Sequence, residues 1–158
     1  MSLTLRPATI EDALSVADVL SSSRRAFLPF APAAHTDAEV RQWVRETLIP
    51  SGGVTVASAG SVVVGVLAIA ADANASWVSQ LFVAPGHTGR GIGTRLLGQA
   101  LASLAPPVRL YTFQANTRAR LFYERHGFKA IAFSDGSTNE ERCPDVLYEH
   151  ASGASAGA

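Results

Sequence analysis

Residues 76–97 restrict the fold of this 158-residue chain more than any other segment, reading SWVSQLFVAPGHTGRGIGTRLL. An apolar, strand-like run ends at Pro85, three alternate glycines follow at Gly89, Gly91 and Gly93, and an apolar helix face comes next. The first N–H groups of a helix lack internal partners, and the helix dipole is positive at that end. Glycine lets a phosphate approach the backbone closely. The segment therefore predicts a site for a phosphorylated cofactor.

Spacing separates three phosphate-binding patterns. A P-loop needs Lys followed by Ser or Thr directly after its last glycine, and no lysine lies here. The dinucleotide fingerprint needs G-x-G-x-x-G and an acid about twenty residues on, whereas this repeat is G-x-G-x-G and residues 106–116 contain no acid. The pattern that remains, [Q/R]-x-x-G-x-G/A, binds the pyrophosphate of coenzyme A. Residues 88–93 fit both of its glycines, although Thr88 replaces the first residue; a loop that only caps a helix is the alternative for this segment alone.

A second pattern lies at residues 116–128, NTRARLFYERHGF, after a strand-like run at 108–113. It resembles the N-x-x-A-x-x-[FL]-Y-E-x-x-G-F signature of the GNAT superfamily of N-acetyltransferases. The strand, loop and helix before it resemble the acetyl-CoA motif of that superfamily. Two ordered motifs at this separation, spanning roughly residues 76–133, are a specific signal. The matched positions are Asn116, Ala119, Phe122, Tyr123, Glu124, Gly127 and Phe128.

The resemblance implies acetyl-CoA as cosubstrate, with its pantetheine arm beside the central strand like an added strand. Asn116 is implied as a cofactor contact, and Asn is also a common helix N-cap, so both interpretations stay open. Arg95 is interpreted as a solvated charge. The implied cofactor-binding residues are Leu81, Phe82, Val83, Thr88, Gly89, Arg90, Gly91, Ile92, Gly93, Thr94 and Asn116.

The resemblance also implies an activity: transfer of an acetyl group to a primary amine of a small molecule or peptide by direct attack. Tyr123 is implied as the general acid that protonates the leaving thiolate. Its alternative role is that of a core tyrosine beside apolar Leu121 and Phe122. A non-catalytic module that senses acetyl-CoA is the alternative function.

The general base and the acceptor amine are not identified by any motif. The central strand offers only Ser79 and Gln80, neither of which is a base at neutral pH. Deprotonation through ordered water is one hypothesis, and a base from another segment is the other. The candidate bases are Asp72, His35, Glu140, Glu141 and Asp145, and the aromatic candidates for an acceptor pocket are Phe27, Phe30, Trp43 and Trp77. Aromatic residues in a domain of this size are also common core residues.

The composition limits which classes of partner and which cellular compartment are expected. Thirteen basic residues balance thirteen acidic ones, so no sequence-wide attraction to nucleic acid or an anionic membrane is expected. The single cysteine, Cys143, excludes an internal disulfide and fits a reducing cytoplasm. No signal-peptide run or ~18-residue apolar span is present, and the His and Cys spacing predicts no metal site. A homodimer stays open, because no residue identifies an interface.

The hydrophobic pattern predicts an α/β (α+β) fold with the element order βααβββαβαβ, followed by a last strand at 146–149. The resemblance implies a mixed, mostly antiparallel sheet of about six or seven strands, with helices on both faces and a splayed central strand pair. We expect one domain over residues 1–150 and a flexible tail at 151–158. Predicted strands lie at 3–6, 54–59, 62–71, 76–83, 108–113, 128–133 and 146–149. One predicted helix begins at Thr9, and three others span 36–49, 90–104 and 117–126.

Overall fold

The computed structural model describes residues 2–150, so the predicted tail at 151–158 lies outside the described residues. The strands are β1 (Leu3–Pro7), β2 (Val54–Ala59), β3 (Val62–Ala71), β4 (Ser76–Val83), β5 (Val108–Phe113), β6 (Lys129–Ser134) and β7 (Asp145–His150). The helices are α1 (Ala13–Phe27), α2 (Asp37–Trp43), α3 (Ile92–Ser103) and α4 (Thr117–Arg125).

The seven strands form one sheet in the order β1-β2-β3-β4-β5-β7-β6. Strands β4 and β5 are parallel, and the other neighbouring strands are antiparallel. The predicted bounds of β2, β3, β4 and β5 match the structure, because β-branched runs end there at glycine, proline and Asx turns. At the β2–β3 turn, Gly60 has a φ of +63°, which glycine adopts without a Cβ penalty. The predicted fold class is confirmed.

Side chains of β3 supply both faces of the sheet, because successive residues of a strand point in opposite directions. Leu67 belongs to the buried cluster that includes α3, whereas Val66 and Ala68 belong to the cluster that includes α1. A Cβ on Gly65 would lie 3.0 Å from side-chain atoms of both Ile92 and Leu96. Glycine at this position therefore allows α3 to pack closely on the sheet.

The helix predicted over residues 36–49 consists of two parts. Thr36 caps α2 as expected: its hydroxyl accepts from the Glu39 N–H at 3.1 Å, and its own N–H donates to the Glu39 carboxylate at 2.8 Å. From Val44 the backbone continues as a π-helical segment, Val44–Leu48, in which the Ile49 N–H donates to the Val44 carbonyl at 3.0 Å. Ile49 caps this segment, and the next residue, Pro50, cannot donate an N–H.

Candidate active site

Strand β4 separates from β5 shortly after the two strands begin. They pair only at Ser76–Val108 and Trp77–Arg109. On the opposite edge, β4 pairs with β3 as far as Val83, but the register skips Ser79. Such a bulge bends its strand locally. From Val78 onward, the edge of β4 that faces β5 therefore has no strand partner among residues 2–150.

Two residues of β4 direct their backbone groups into this gap. The Ala84 N–H donates to the Val64 carbonyl at 2.8 Å, so Ala84 faces β3. Because backbone direction alternates along a strand, Phe82 also faces β3, whereas Leu81 and Val83 face the gap. An extended ligand with amide groups can pair with such an edge.

The glycine loop ends at the N-terminus of α3. Gly89 and Gly91 have φ values of +76° and +80°, a conformation that favours glycine, and Gly91 is the N-cap. No side chain of residues 2–150 caps α3, and its first turn carries no acidic residue. A Cβ on either glycine would meet no atom within 4 Å. The first N–H groups of α3 therefore point toward open space in a field that favours an anion.

The gap, the loop and α4 surround a cavity of about 920 Å³. Of the cofactor-binding residues expected from the sequence, Arg90 is exposed and does not line this cavity. Arg95, interpreted as a solvated charge, donates to the Leu3 carbonyl at 3.2 Å. The expected residues that do line the cavity are Leu81, Phe82, Val83, Thr88, Gly89, Gly91, Ile92, Gly93, Thr94 and Asn116.

Tyr123 lies on α4, lines the cavity and is only 8% exposed. It packs against the rings of Phe122, Phe128 and Tyr148, so it is also a core residue. Burial disfavours the phenolate and raises the Tyr123 pKa well above its usual range. Its hydroxyl makes no hydrogen bond within residues 2–150, and is therefore a protonated donor with spare capacity at the cavity wall.

The other motif residues hold α4 in place. The Asn116 side chain accepts from the Ala119 N–H at 3.2 Å, so Asn116 is the helix N-cap as well as a cavity residue. The Tyr148 hydroxyl donates to Glu124 at 2.6 Å and accepts from Arg120 at 3.0 Å. The sequence did not indicate Tyr148, because its partners lie on another element.

Two of the five candidate bases line the cavity: Glu141 and Asp145. Asp72 accepts from two turn N–H groups and from the Trp77 indole, which lower its pKa and keep it in the β3–β4 turn. His35 and Glu140 form an exposed contact of 3.0 Å with each other, away from the cavity.

Of the aromatic candidates for an acceptor pocket, Phe27 lines the cavity. Phe30 reaches it indirectly, through an edge-on contact with the cavity residue Phe113. Trp77 does not line the cavity but stacks on Tyr111, which does, and Trp43 is a half-exposed residue of α2. The sequence pattern did not separate these roles, because all four residues fit an apolar surface equally well.

One buried serine beside the open edge carries no sequence signal. Ser23 on α1 has no exposed surface, and its hydroxyl donates to the Val83 carbonyl at 3.0 Å. This bond gives the open edge of β4 one of its missing partners. No local pattern marks Ser23, because its partner lies 60 positions along the chain.

The described residues contain no helix long and apolar enough to cross a bilayer. Within residues 2–150, no group of three or more His, Cys, Asp or Glu side chains is arranged to hold a metal ion. Burial, then the charges of Glu141 and Asp145, raise the pKa of the Cys143 thiol. A thiol in such surroundings is a poor nucleophile.

Known structures share this fold over almost their whole length. Escherichia coli YjaB, in its apo form, is 23% identical with a TM-score of 0.76, over 95% of this chain and 98% of that chain. The PaiA N-acetyltransferase of Thermoplasma acidophilum, solved in complex with coenzyme A, is 22% identical with a TM-score of 0.73, over 96% and 99%. Arabidopsis thaliana Naa50, solved with the bisubstrate analogue CoA-Ac-MVNAL, is 18% identical with a TM-score of 0.70, over 94% and 98%.

Sequence comparison gives the family. No curated protein matches the chain. A family model described as an acetyltransferase (GNAT) domain matches residues 50–130, just over half of the sequence, and this range includes the open β4 edge, the glycine loop and Tyr123. The chain therefore belongs to the GNAT family of acetyltransferases.

Proposed function

We propose that this chain transfers an acetyl group from acetyl-CoA to a primary amine of a small molecule or peptide, by direct attack of the amine. The observation that carries the proposal is the open edge of β4 beside the cavity. Family membership supplies the reaction class. The CoA-Ac-MVNAL analogue bound by Naa50 supports a peptide or amine acceptor.

The residues around the gap fit acetyl-CoA. The pantetheine amides would pair with the backbone of Leu81 and Val83. The pyrophosphate would bind the N–H groups at the start of α3, where Gly89 and Gly91 leave room for it. Thr88, Thr94 and Asn116 would contribute polar contacts from the cavity wall. When bound, the thioester supplies an activated acetyl group.

The chain would contribute positioning, polarisation and a proton. Holding the amine beside the thioester makes the attack effectively unimolecular. A backbone N–H of the open β4 edge would polarise the thioester oxygen. Tyr123 would protonate the leaving sulfur; because a free thiol has a pKa of about 8.5, the thiolate leaves reasonably well even unaided. Tyr123 would therefore accelerate the reaction without being indispensable.

Thiol release from acetyl-CoA tests the function, measured across a panel of amines, amino acids and short peptides. Tyr123→Phe should lower kcat roughly 10- to 100-fold, at or below the lower end of general acid effects. Tyr148→Phe is the matched control, because Tyr148 is also buried but lies outside the cavity lining, and it should keep most of the rate. Equal rate loss in both variants would refute the acid role.

The pH profile gives a second test of Tyr123. Because burial raises its pKa, the hydroxyl should stay protonated up to at least about pH 10, the usual pKa of tyrosine. No rate loss due to Tyr123 ionisation is expected below that pH. A basic limb below pH 10 that disappears in Tyr123→Phe would contradict the proposal. Coenzyme A binding without turnover on any acceptor would instead support the sensor alternative.

A further inference from the structure

We propose that the acceptor carries a second cationic group, which binds Asp145 at the end of the cavity facing α1. This inference rests on the proposed function, because it concerns the acceptor of the same site. It assigns an acceptor class: a diamine, or an amine that bears a separate ammonium or guanidinium group.

The sheet register places Asp145 on the α1 side. Asp145 pairs with Phe113 across β7 and β5, so the two side chains share a face. The next residue, Val146, is buried in the cluster that includes α3, so Asp145 faces the other way. Phe30, from the loop after α1, contacts the Phe113 ring with centroids 6.1 Å apart. Asp145 therefore lines the cavity on the face opposite α3.

The charge of Asp145 is not neutralised within residues 2–150. One of its carboxylate oxygens accepts from the Ser134 hydroxyl and the other from the Asn139 amide at 3.2 Å, and both donors are neutral. The neighbouring carboxylate, Glu141, is different, because Arg24 pairs with it at 3.2 Å. Asp145 forms no ion pair with a described residue and is partly buried, so a cation in the cavity would stabilise it.

The carboxylate is also held in a fixed direction. Asn139 donates to the Cys143 carbonyl at 2.7 Å and accepts from the Cys143 N–H at 3.1 Å. The same side chain donates to Asp145, so one residue ties the loop before β7 to the carboxylate. A preorganised acceptor of hydrogen bonds selects a cation by position as well as by charge.

The reaction decides which nitrogen Asp145 holds. The attacking amine must be neutral, and a carboxylate beside it would stabilise its ammonium form and raise its pKa. Asp145 is therefore poorly suited to hold the reacting nitrogen and well suited to hold a second cation. The connecting aliphatic chain would lie along the Phe27 and Phe113 side chains of the cavity wall.

Steady-state thiol release by the full chain tests this inference, with 1,4-diaminobutane and butylamine as the two acceptors. When butylamine reacts, its only nitrogen is at the thioester and cannot also bind Asp145, whereas the diamine can fill both positions. We expect kcat/KM to be about tenfold higher for the diamine, the size of one charge-assisted hydrogen bond. Asp145→Asn should remove that preference, and Asp145→Glu, which keeps the charge, should restore part of it.

Asp135→Asn is the matched control, because Asp135 is an exposed carboxylate of the loop between β6 and β7 and lies outside the cavity lining. This variant should keep the preference for the diamine. If Asp145→Asn fails to fold, the wild-type preference must still shrink as NaCl is raised. Equal kcat/KM for both acceptors, or a preference that persists in Asp145→Asn, would overturn the inference. Turnover of both amines with no effect of Asp145 would leave the proposed function standing and refute this inference. Asp145-dependent binding of the diamine without turnover would support this inference and contradict the proposed function.

Discussion

The two edges of β4 differ, although they belong to the same backbone. Toward β3, pairing runs from Ser76–Ala71 to Val83–Gly65, interrupted only at Ser79. Toward β5, pairing stops after Trp77–Arg109. One edge therefore completes the sheet and the other leaves Leu81 and Val83 open to a ligand. Because backbone groups form the open edge, the side chains remain apolar and pack in the core.

Chain connectivity accounts for much of this difference. Strand β3 joins β4 through a short turn, so the two strands lie side by side along their length. Strand β5 arrives only after α3 and is attached near the start of β4, where the Ser76 hydroxyl donates to the Ala105 carbonyl at 2.6 Å. Beyond that point, Phe122 and Tyr123 line the space between the strands. We therefore expect the edge paired with β3 to contribute mainly to the stability of the fold, and the open edge to contribute mainly to ligand binding.

The largest expected effect is in stability, and it separates a buried hydroxyl with partners in the fold from one that faces the gap beside the open edge. Tyr148→Phe removes a buried hydroxyl that donates to Glu124 and accepts from Arg120, and should lower the free energy of unfolding by roughly 1–2 kcal/mol. Tyr123→Phe removes a hydroxyl without such partners and should change it little. Urea denaturation measures both variants. A loss in Tyr123→Phe as large as in Tyr148→Phe would show that the Tyr123 hydroxyl is structural.

The glycine loop allows an effect on ligand binding to be separated from an effect on stability. Gly91→Ala and Gly52→Ala each place a side chain at a φ near +80° with no atom within 4 Å of the new Cβ. Both should lose about 1 kcal/mol of stability through the same left-handed strain. Only Gly91→Ala should also weaken coenzyme A binding, by roughly tenfold, since its methyl group projects at the N-terminus of α3. Calorimetry on both variants decides, and equal affinities would remove the loop from the site.

The smallest expected effect concerns Ser23. Ser23→Ala removes the bond to the Val83 carbonyl and should cost about 1 kcal/mol of stability. It should also raise the KM for acetyl-CoA severalfold with little change in kcat, because the open edge loses a positioning contact. Ser22→Ala is the control, since within the described part of the chain the Ser22 hydroxyl bonds only to Val19 of the same helix. An unchanged KM in Ser23→Ala would show that the edge is held without this bond.

Much of the fold could be predicted from local sequence. The bounds of β2 to β5 follow from β-branched runs between turn residues, and the cap of α2 follows from Thr36 and Glu39. No local pattern indicated the π-helical segment Val44–Leu48, whose side chains Val44 and Leu48 are buried in the cluster that includes α1 and β2. Sequence patterns also did not show which aromatic residues line the cavity. Only the packing of the folded chain places Phe27 in the lining and Trp43 outside it.

The sequence by itself determined the glycine loop, the α4 motif and the family they indicate, because those signals come from residues close together in the chain. The tertiary structure decided that β4 has one open edge, that Ser23 reaches Val83, and that Asp145 rather than Asp72 lines the cavity. These features join segments tens of residues apart. Their geometry depends on register, bulge and packing, which no local pattern of residue types specifies.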